Sequence, residues 1–432
     1  MAGAPLTKSE QTWGRRNDAV RRGPGNAVRD WYTSRSAKRS VCALVVAIGA
    51  IVRLLLWWNS IGSNDALIWY SHAEAIRDYG IVGTYEQVQA FNHPPLIGLY
   101  MYAALAVADG DLLTFAHLLK LPALAGEALT IVMLWRFAGC RAAAVYALLP
   151  APILVSAFHG NTDCLLAALL LGSALAFDRD RYLLAGLLFG AAMNVKVVPL
   201  VLLPVVLLAP LSVRVFVRLV AGMAVGAIPF VLPALFAARA MIRNMVEYVP
   251  NPDNWGVLSV LNPAVDQPRL AVLASPARDW YIENGRYVVL LAIVAVAVLA
   301  RARRPIPISA RLAAAIALFL LLAPGFGVQY VVYAIPLLCL IEMKAAIQWG
   351  LAAGLFIGCV YWTFVTSWSP IQSIFSGPYP APAPVLGAVA WTVLLAFLAR
   401  VLPWRSWLAI PSRARDQRRT ISTVNPAISS RR

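Results

Sequence analysis

The sequence predicts an all-α, polytopic helical membrane protein. Of its 432 residues, 60% are hydrophobic and only 13% are charged, and the mean hydropathy is +0.69. A soluble globular protein carries roughly 25% charged residues, and a soluble core cannot bury this much apolar side chain. Open sheet edges cannot be satisfied in lipid, so the spans are expected to be helices. This composition argues against a soluble enzyme, a disordered protein and a disulfide scaffold.

The chain divides into three parts. Residues 1–38 form a basic tail that is expected to be disordered, residues 39–402 form the transmembrane domain, and residues 403–432 form a second basic tail. Many apolar runs in the domain are shorter than the ~20 residues that a straight span needs, and we expect 11–14 spans with large outer loops. The runs are 41–61, 94–108, 112–137, 142–158, 163–177, 182–194, 197–211, 215–237, 286–300, 310–323, 328–342, 346–366 and 384–402.

Positive charge orients these spans. The two tails and alternate short loops, taken as cytoplasmic, hold 28 of the 37 Lys and Arg residues. Such an excess marks cytoplasmic loops. Both tails are therefore expected on the cytoplasmic side of a plasma membrane, with 62–93 and 238–285 as outer loops. Because the basic residues sit in tails and loops rather than on one face, nucleic acid is not an expected partner.

One interval conflicts with this alternation. An odd number of crossings must separate the outer loop 62–93 from the cytoplasmic Arg136, yet two apolar runs lie between them. Either 94–108 is a short re-entrant or surface helix, or 112–137 contains a break near Pro122.

Five polar clusters lie at the predicted outer ends of different spans. Polar groups at membrane depth are costly unless they are paired or hydrated, so they mark functional sites. Their convergence on one face predicts a single outward-facing polar site. The clusters are Asn64-Asp65, Asn92-His93, His159 to Asp163, Asn194 to Lys196 and Gln329-Tyr330.

Two charged residues flank the end of the first span. Asp65 follows this span by four residues and is suited to a general base, with an ordinary loop carboxylate as the alternative. Arg53 lies twelve residues earlier, too deep to reach the surface. We expect Arg53 to face a polar cavity as the partner of a phosphate or a carboxylate.

The other clusters keep structural alternatives open. The ammonium group of Lys196 lies in an apolar run and needs an anion, which is either a phosphate or a structural carboxylate such as Asp163. His93 precedes a Pro-Pro pair that can simply begin a helix. Asn161 or Thr162 can cap the helix that follows.

These residues resemble the GT-C superfamily of integral-membrane glycosyltransferases, specifically the bacterial polyprenyl-phosphate-mannose type. The resemblance covers about residues 45–340, with its segments in the family's order. Some relatives carry a DxD motif in the first outer loop, where this chain has Asn64-Asp65. The segments are IVRLLLWWNSIGSNDALIWYSHAEAIRDYG, FNHPPLIGLY, FHGNTD, AGLLFGAAMNVKVVPLVLLP and APGFGVQYVVYAIPLL.

The resemblance implies a reaction. A sugar, with mannose as the first choice, would pass with inversion from a polyprenyl-phosphate carrier to a hydroxyl of a glycolipid or glycan in the cell envelope. Asp65 would be the general base, and the leaving phosphate would be held by Lys196, His93 and Arg53. Glucose, arabinose and galactose remain open as the sugar. The remaining cluster residues would contact the substrates: His159, Asn161, Asp163, Asn194, Gln329 and Tyr330.

No cofactor is implied, and we expect transfer to need no divalent metal. Hard cations prefer carboxylate ligands, and no acidic residue lies between Asp65 and Glu74 to form a close pair. A split site that includes Asp163 remains open. The alternative function is a polytopic transporter or a flippase of lipid-linked sugars. Such proteins often contain internal repeats, and none is visible here.

Overall fold

A computed structural model describes residues 24–210, 212–248, 255–302, 306–365 and 379–401. All regular secondary structure in these ranges is helical. It comprises seventeen α-helices and four short π- or 3-10 segments. The prediction of an all-α, polytopic membrane protein is therefore confirmed.

The helices follow the apolar runs closely. Those of the first part of the chain are α1 (Pro24–Trp58), α2 (Asp65–Gln87), α3 (Pro95–Ala108), α4 (Leu112–Phe137), α5 (Cys140–Leu148), α6 (Pro150–Ile153), α7 (Asp163–Phe177), α8 (Tyr182–Met193) and α9 (Pro199–Leu207). Those of the second part are α10 (Val213–Gly226), α11 (Val231–Met241), α12 (Leu258–Val265), α13 (Pro268–Ala302), α14 (Ile308–Leu322), α15 (Ile335–Ile341), α16 (Met343–Val365) and α17 (Ala383–Val401). Two π-helical turns, Leu154–His159 and Ile242–Val246, extend α6 and α11, and 3-10 turns occupy Ile228–Phe230 and Val328–Val332.

Six helical segments in the described residues are long and apolar enough to cross a bilayer, where 11–14 spans were expected. A seventh span results if α5 and the segment Pro150–His159, bent by 62°, form one broken crossing. Five shorter apolar segments, of 10–17 residues, bring the total to twelve if each of them also crosses. The expected number is therefore reached only with short and broken helices.

The helix α4 resolves the conflict over the early crossings. It runs without interruption from Leu112 to Phe137 and contains Pro122, so the alternative of a break near this proline is wrong. The helix α3 has only 14 residues, or about 21 Å of length, which is less than the ~30 Å of the hydrocarbon layer. The helix α3 therefore fits the alternative of a short re-entrant or surface helix, and without it the largest number of crossings is eleven rather than twelve.

Several segments expected to be irregular are helical. The helix α1 begins at Pro24, within the segment 1–38 that was expected to be disordered, and Arg and Lys are themselves good helix formers. Residues 1–23 and 403–432 lie outside the described residues. The segment 62–93 is mostly α2, and 238–285 includes α12 and the first half of α13. Hydropathy along the sequence detects only the apolar part of such helices.

The helices α8 and α10 pack closely against each other. Gly186 and Gly190 on α8 face Gly222 and Gly226 on α10, with the same four-residue spacing on both. A Cβ atom on Gly186 would lie 2.0 Å from the carbonyl oxygen of Leu219. Small residues at such spacing let membrane helices approach closely. This contact fixes the end of α8, and the polar turn with Lys196 follows it directly.

Candidate active site

One cavity of about 530 Å³ contains residues from all five polar clusters. This volume is in the usual range for ligand sites. The clusters come from distant parts of the sequence, so their convergence is a property of the helix packing. The cluster residues in its wall are Asn64, Asp65, Asn92, His93, His159, Asn161, Lys196, Gln329 and Tyr330.

Asp65, the first residue of α2, is held in place through one of its own two carboxylate oxygens. Asn161 donates from Nδ2 to Oδ2 of Asp65 at 2.5 Å, and Nε2 of His159 lies 3.2 Å from the same oxygen. The described residues donate no side-chain hydrogen bond to Oδ1. One oxygen therefore orients the carboxylate, and the other is available to a ligand.

Asp65 is ionised at neutral pH. Burial by itself would raise the pKa of this carboxyl, but the charge and contact of His159 act in the opposite direction. Together with Lys196 and Asn161, His159 lowers the pKa of Asp65 to about 2. The carboxylate is thus kept as a proton acceptor in a partly enclosed site.

The backbone around His159 is shaped by two glycines. Gly160 adopts φ +83° and ends the π-helical turn, while Gly62 adopts φ +114°. A Cβ atom on Gly62 would lie 2.9 Å from the carbonyl oxygen of His159, so this approach requires glycine. Ser63 donates its backbone N–H to the same oxygen at 3.2 Å.

The imidazole ring of His159 stacks on the ring of Tyr361, with 5.2 Å between the two ring centres.

Lys196 also has a buried carboxylate partner. Its Nζ lies 3.0 and 2.8 Å from the two carboxylate oxygens of Asp163, and it lies 5.1 Å from the centre of the Tyr330 ring. The hydroxyl of Tyr333 donates to Asp163. Lys196 lines the cavity, whereas Asp163 is fully buried behind it. The structural carboxylate is therefore the alternative found here, and Asp163, which was expected to contact the substrate, does not line the cavity.

His93 is a neutral side chain in the cavity wall. Its ring lies 4.4 Å from that of Trp69 and 5.4 Å from that of His72. Burial, followed by the nearby His72 and Lys196, holds the pKa of His93 well below its usual value. His93 can therefore donate or accept a hydrogen bond but does not supply positive charge at neutral pH.

His72 was missed in the sequence. It lines the cavity, and burial lowers its pKa to about 4. It follows Asp65 by seven residues, which is two helical turns, so helical periodicity would have put both on one face. The segment was expected to be a loop, and no helical spacing was applied to it.

The comparison with protein families agrees with this geometry. The family model described as "Glycosyltransferase family 87" matches residues 91–326, which is more than half of the chain. The chain belongs to glycosyltransferase family 87. This family is a GT-C-like family of membrane glycosyltransferases, in agreement with the resemblance to the GT-C superfamily, while the polyprenyl-phosphate-mannose type stays a prediction. No curated protein matches the chain. The matched region of this transferase includes His93, His159 and Lys196, while Asp65 precedes it.

Arg53 was expected at the phosphate, but it does not line the cavity of the transferase. Its Nε and Nη2 donate to Oε2 of Glu127 at 3.0 and 2.6 Å, and Nη1 donates to the carbonyl of Ala147 at 2.6 Å. Tyr146 donates to the other oxygen of Glu127 at 2.6 Å. The guanidinium has found a carboxylate partner, which was the other possibility, and it ties α1 to α4 and α5.

Asn194, which was expected to contact the substrate, also lies outside the cavity wall. It is buried, and its Nδ2 donates to the carbonyl oxygens of Gly226 at 2.7 Å and Gly190 at 3.3 Å. Asn194 therefore joins the ends of α8 and α10, where the close glycine contact leaves these carbonyl groups within reach.

The described residues bring together no group of three or more His, Cys, Asp or Glu side chains able to hold a metal ion. Independence of metal remains a prediction for this transferase.

Proposed function

We propose that this transferase moves a sugar, with mannose as the first choice, from a polyprenyl-phosphate carrier to a hydroxyl of a glycolipid or glycan. We place the reaction at the outer face of a bacterial plasma membrane. One observation carries the proposal: the ionised carboxylate of Asp65 lies in the wall of the polar cavity, and Asn161 and His159 hold its Oδ2.

The proposed chemistry is a single displacement. Oδ1 of Asp65 accepts the proton of the acceptor hydroxyl, whose oxygen attacks the anomeric carbon while the bond from that carbon to the phosphate oxygen breaks. A double displacement with retention would need a carboxylate nucleophile on the other face of the sugar. Asp163 is buried and bound to Lys196 and Tyr333, which favours inversion.

The leaving phosphate gains negative charge as the bond breaks, and fixed donors in an enclosed site stabilise such charge. Lys196 supplies a cation at the cavity wall, and His93 supplies a neutral N–H. Gln329 and Tyr330 offer hydrogen-bonding groups for the sugar, and Trp69 offers an aromatic face. Arg53 has no part in this arrangement.

The test is sugar transfer by purified, full-length protein in lipid, with radiolabelled polyprenyl-phosphate mannose as donor. Asp65→Asn keeps the shape of the side chain and removes the proton acceptor, so we expect the rate to fall by ~10²–10⁴. The matched control is Asp78→Asn, an exposed residue of the same helix that does not line the cavity. The control should retain wild-type turnover.

Two results would count against the proposal. Near-wild-type turnover by a folded Asp65→Asn variant would exclude Asp65 as the base. Transfer from a nucleotide sugar, with none from any polyprenyl-phosphate sugar, would exclude the proposed donor.

A further inference from the structure

An apolar groove of about 180 Å³ adjoins the polar cavity. The two share part of their walls, namely Val197, Val198, Met245, Tyr248 and Tyr330. Beyond this shared wall the groove is bounded by α9, α13 and α14. Its further side chains include Leu200, Val201, Val289 and Phe319.

Arg286 on α13 is the only charged residue among the described residues that line this groove. Its Nε is buried and has no hydrogen-bond partner in the described part of the chain, and its guanidinium lies 5.5 Å from the centre of the Tyr287 ring. No described carboxylate pairs with it. Arg53 and Lys196, in contrast, each bind a buried carboxylate. Arg286 is only partly exposed, and it lies in an apolar wall, where a cation without an anion is costly. We therefore expect a ligand to supply the anion.

The position of Arg286 along α13 fits such a ligand. It lies fifteen residues before Arg301, or about 22 Å along the helix. Arg301 lies at the predicted cytoplasmic end and donates to the carbonyl oxygens of Leu208 and Pro210. Arg286 is thus separated from that end by most of the ~30 Å hydrocarbon layer. This depth is expected for a group that meets the head of a lipid in the other leaflet.

We infer that the groove binds the first isoprene units of the carrier lipid and that Arg286 binds its phosphate. The inference rests on the proposed function and adds Arg286 to Lys196 and His93 as a residue that holds the phosphate. An isoprenoid phosphate is an apolar chain with a single anionic group, which matches an apolar groove with a single cation. Because the groove adjoins the cavity at Tyr248 and Tyr330, a phosphate bound at Arg286 leaves the attached sugar next to the polar wall.

The experiment measures binding to the full-length protein in phosphatidylcholine nanodiscs, by competition with a radiolabelled polyprenyl phosphate. The competitors are the unlabelled polyprenyl phosphate, the polyprenol of the same length and inorganic phosphate. We expect the lipid phosphate to bind at least about tenfold more tightly than the polyprenol, and inorganic phosphate not to compete. Arg286→Met should remove this preference without changing binding of the polyprenol, and Arg286→Lys should keep most of it.

The matched control is Arg278→Met. Arg278 lies on the same helix, eight residues earlier, and does not line the groove. This variant should bind the lipid phosphate as the wild type does. Wild-type affinity in Arg286→Met would overturn the inference, and so would competition by inorganic phosphate at the strength of the lipid phosphate.

A second variant keeps the test decisive if Arg286→Met does not fold. Val201→Trp fills the groove and leaves Arg286 in place, so it should weaken binding of both the lipid phosphate and the polyprenol at least about tenfold. Unchanged binding of both would overturn the inference.

Sugar transfer separates this inference from the proposed function. Binding of lipid phosphate that depends on Arg286, in a protein that transfers no sugar from such a carrier, would overturn the proposed function alone. Transfer by Arg286→Met with an unchanged KM for the donor would overturn the role of Arg286 alone.

Discussion

At the scale of single residues, the functional side chains depend on partners from distant parts of the chain. Asp65 is held by His159 and Asn161, which lie more than ninety residues later. Lys196 is held by Asp163, more than thirty residues earlier. A change in the partner should therefore alter the protonation or the position of the group that it holds.

With Asp65 as the proposed base, its partner His159 should set the acid side of the pH–rate profile. With a pKa of about 2, Asp65 stays ionised in the wild type, so loss of the base should not limit kcat/KM above about pH 4. In His159→Gln the charge that lowers this pKa is lost while burial, which raises it, remains. The acid limb of kcat/KM should therefore move to higher pH.

The measurement is kcat/KM from about pH 4 to about pH 8. His117→Gln serves as a control, because His117 contacts the carbonyl of Trp58 and does not line the cavity. An acid limb that stays in place in a folded His159→Gln variant would contradict the assigned electrostatic role.

The pair of Lys196 and Asp163 makes a prediction about stability. Lys196→Met leaves the fully buried Asp163 without its cation, and breaking a buried pair in this way costs about 3–5 kcal/mol. Lys196→Met combined with Asp163→Asn removes the uncompensated charge and should recover most of that loss. Unfolding of the purified proteins in detergent measures both. A double variant no more stable than Lys196→Met would show that the pair is not coupled.

At the scale of helices, the contact between α8 and α10 depends on the absence of side chains. A Cβ atom on Gly222 would lie 2.1 Å from the carbonyl oxygen of Leu183, so Gly222→Ala must push the two backbones apart. We expect a loss of about 1–3 kcal/mol in the free energy of unfolding, as for other overpacked sites. Gly358→Ala is the control, since its Cβ would meet only a side-chain atom at 3.6 Å. Equal stability of the two variants would contradict the close packing.

The sequence predicts the apolar helices better than the others. The runs 112–137 and 163–177 coincide with α4 and α7, because an apolar segment at membrane depth must be helical to satisfy its own backbone groups. The helix α2 and the first half of α13 contain many polar residues, and hydropathy does not detect them.

The sequence also did not predict which side chains pair between different helices. The polar clusters predicted which residues meet at the cavity, since polar groups at membrane depth are few and need each other. They did not predict that Arg53 pairs with Glu127, which lies 74 residues away, or that Asn194 binds the backbone of another helix. Such pairings depend on how helices rotate and pack, which no local pattern encodes.

At the scale of the whole molecule, the orientation in the membrane is set by charge. The split of 28 of 37 Lys and Arg residues predicts that both tails are cytoplasmic. Single cysteines introduced after residues 80, 260 and 420, in a background without the five native cysteines, should react with an impermeant reagent from outside at the first two positions only. Position 420 should react after permeabilisation. Labelling of position 420 in intact cells would reverse the orientation and move the cavity to the cytoplasmic side.

The order in which the cavity wall appears along the chain has a consequence for biosynthesis. Asp65 belongs to the earliest part of the wall, whereas Tyr361 and Tyr379 belong to the last. Translation proceeds from the N-terminus, and membrane insertion follows it. A nascent chain thus carries the proposed base long before it has an enclosed site. On the proposed mechanism, sugar transfer begins only after nearly the whole polypeptide has entered the bilayer.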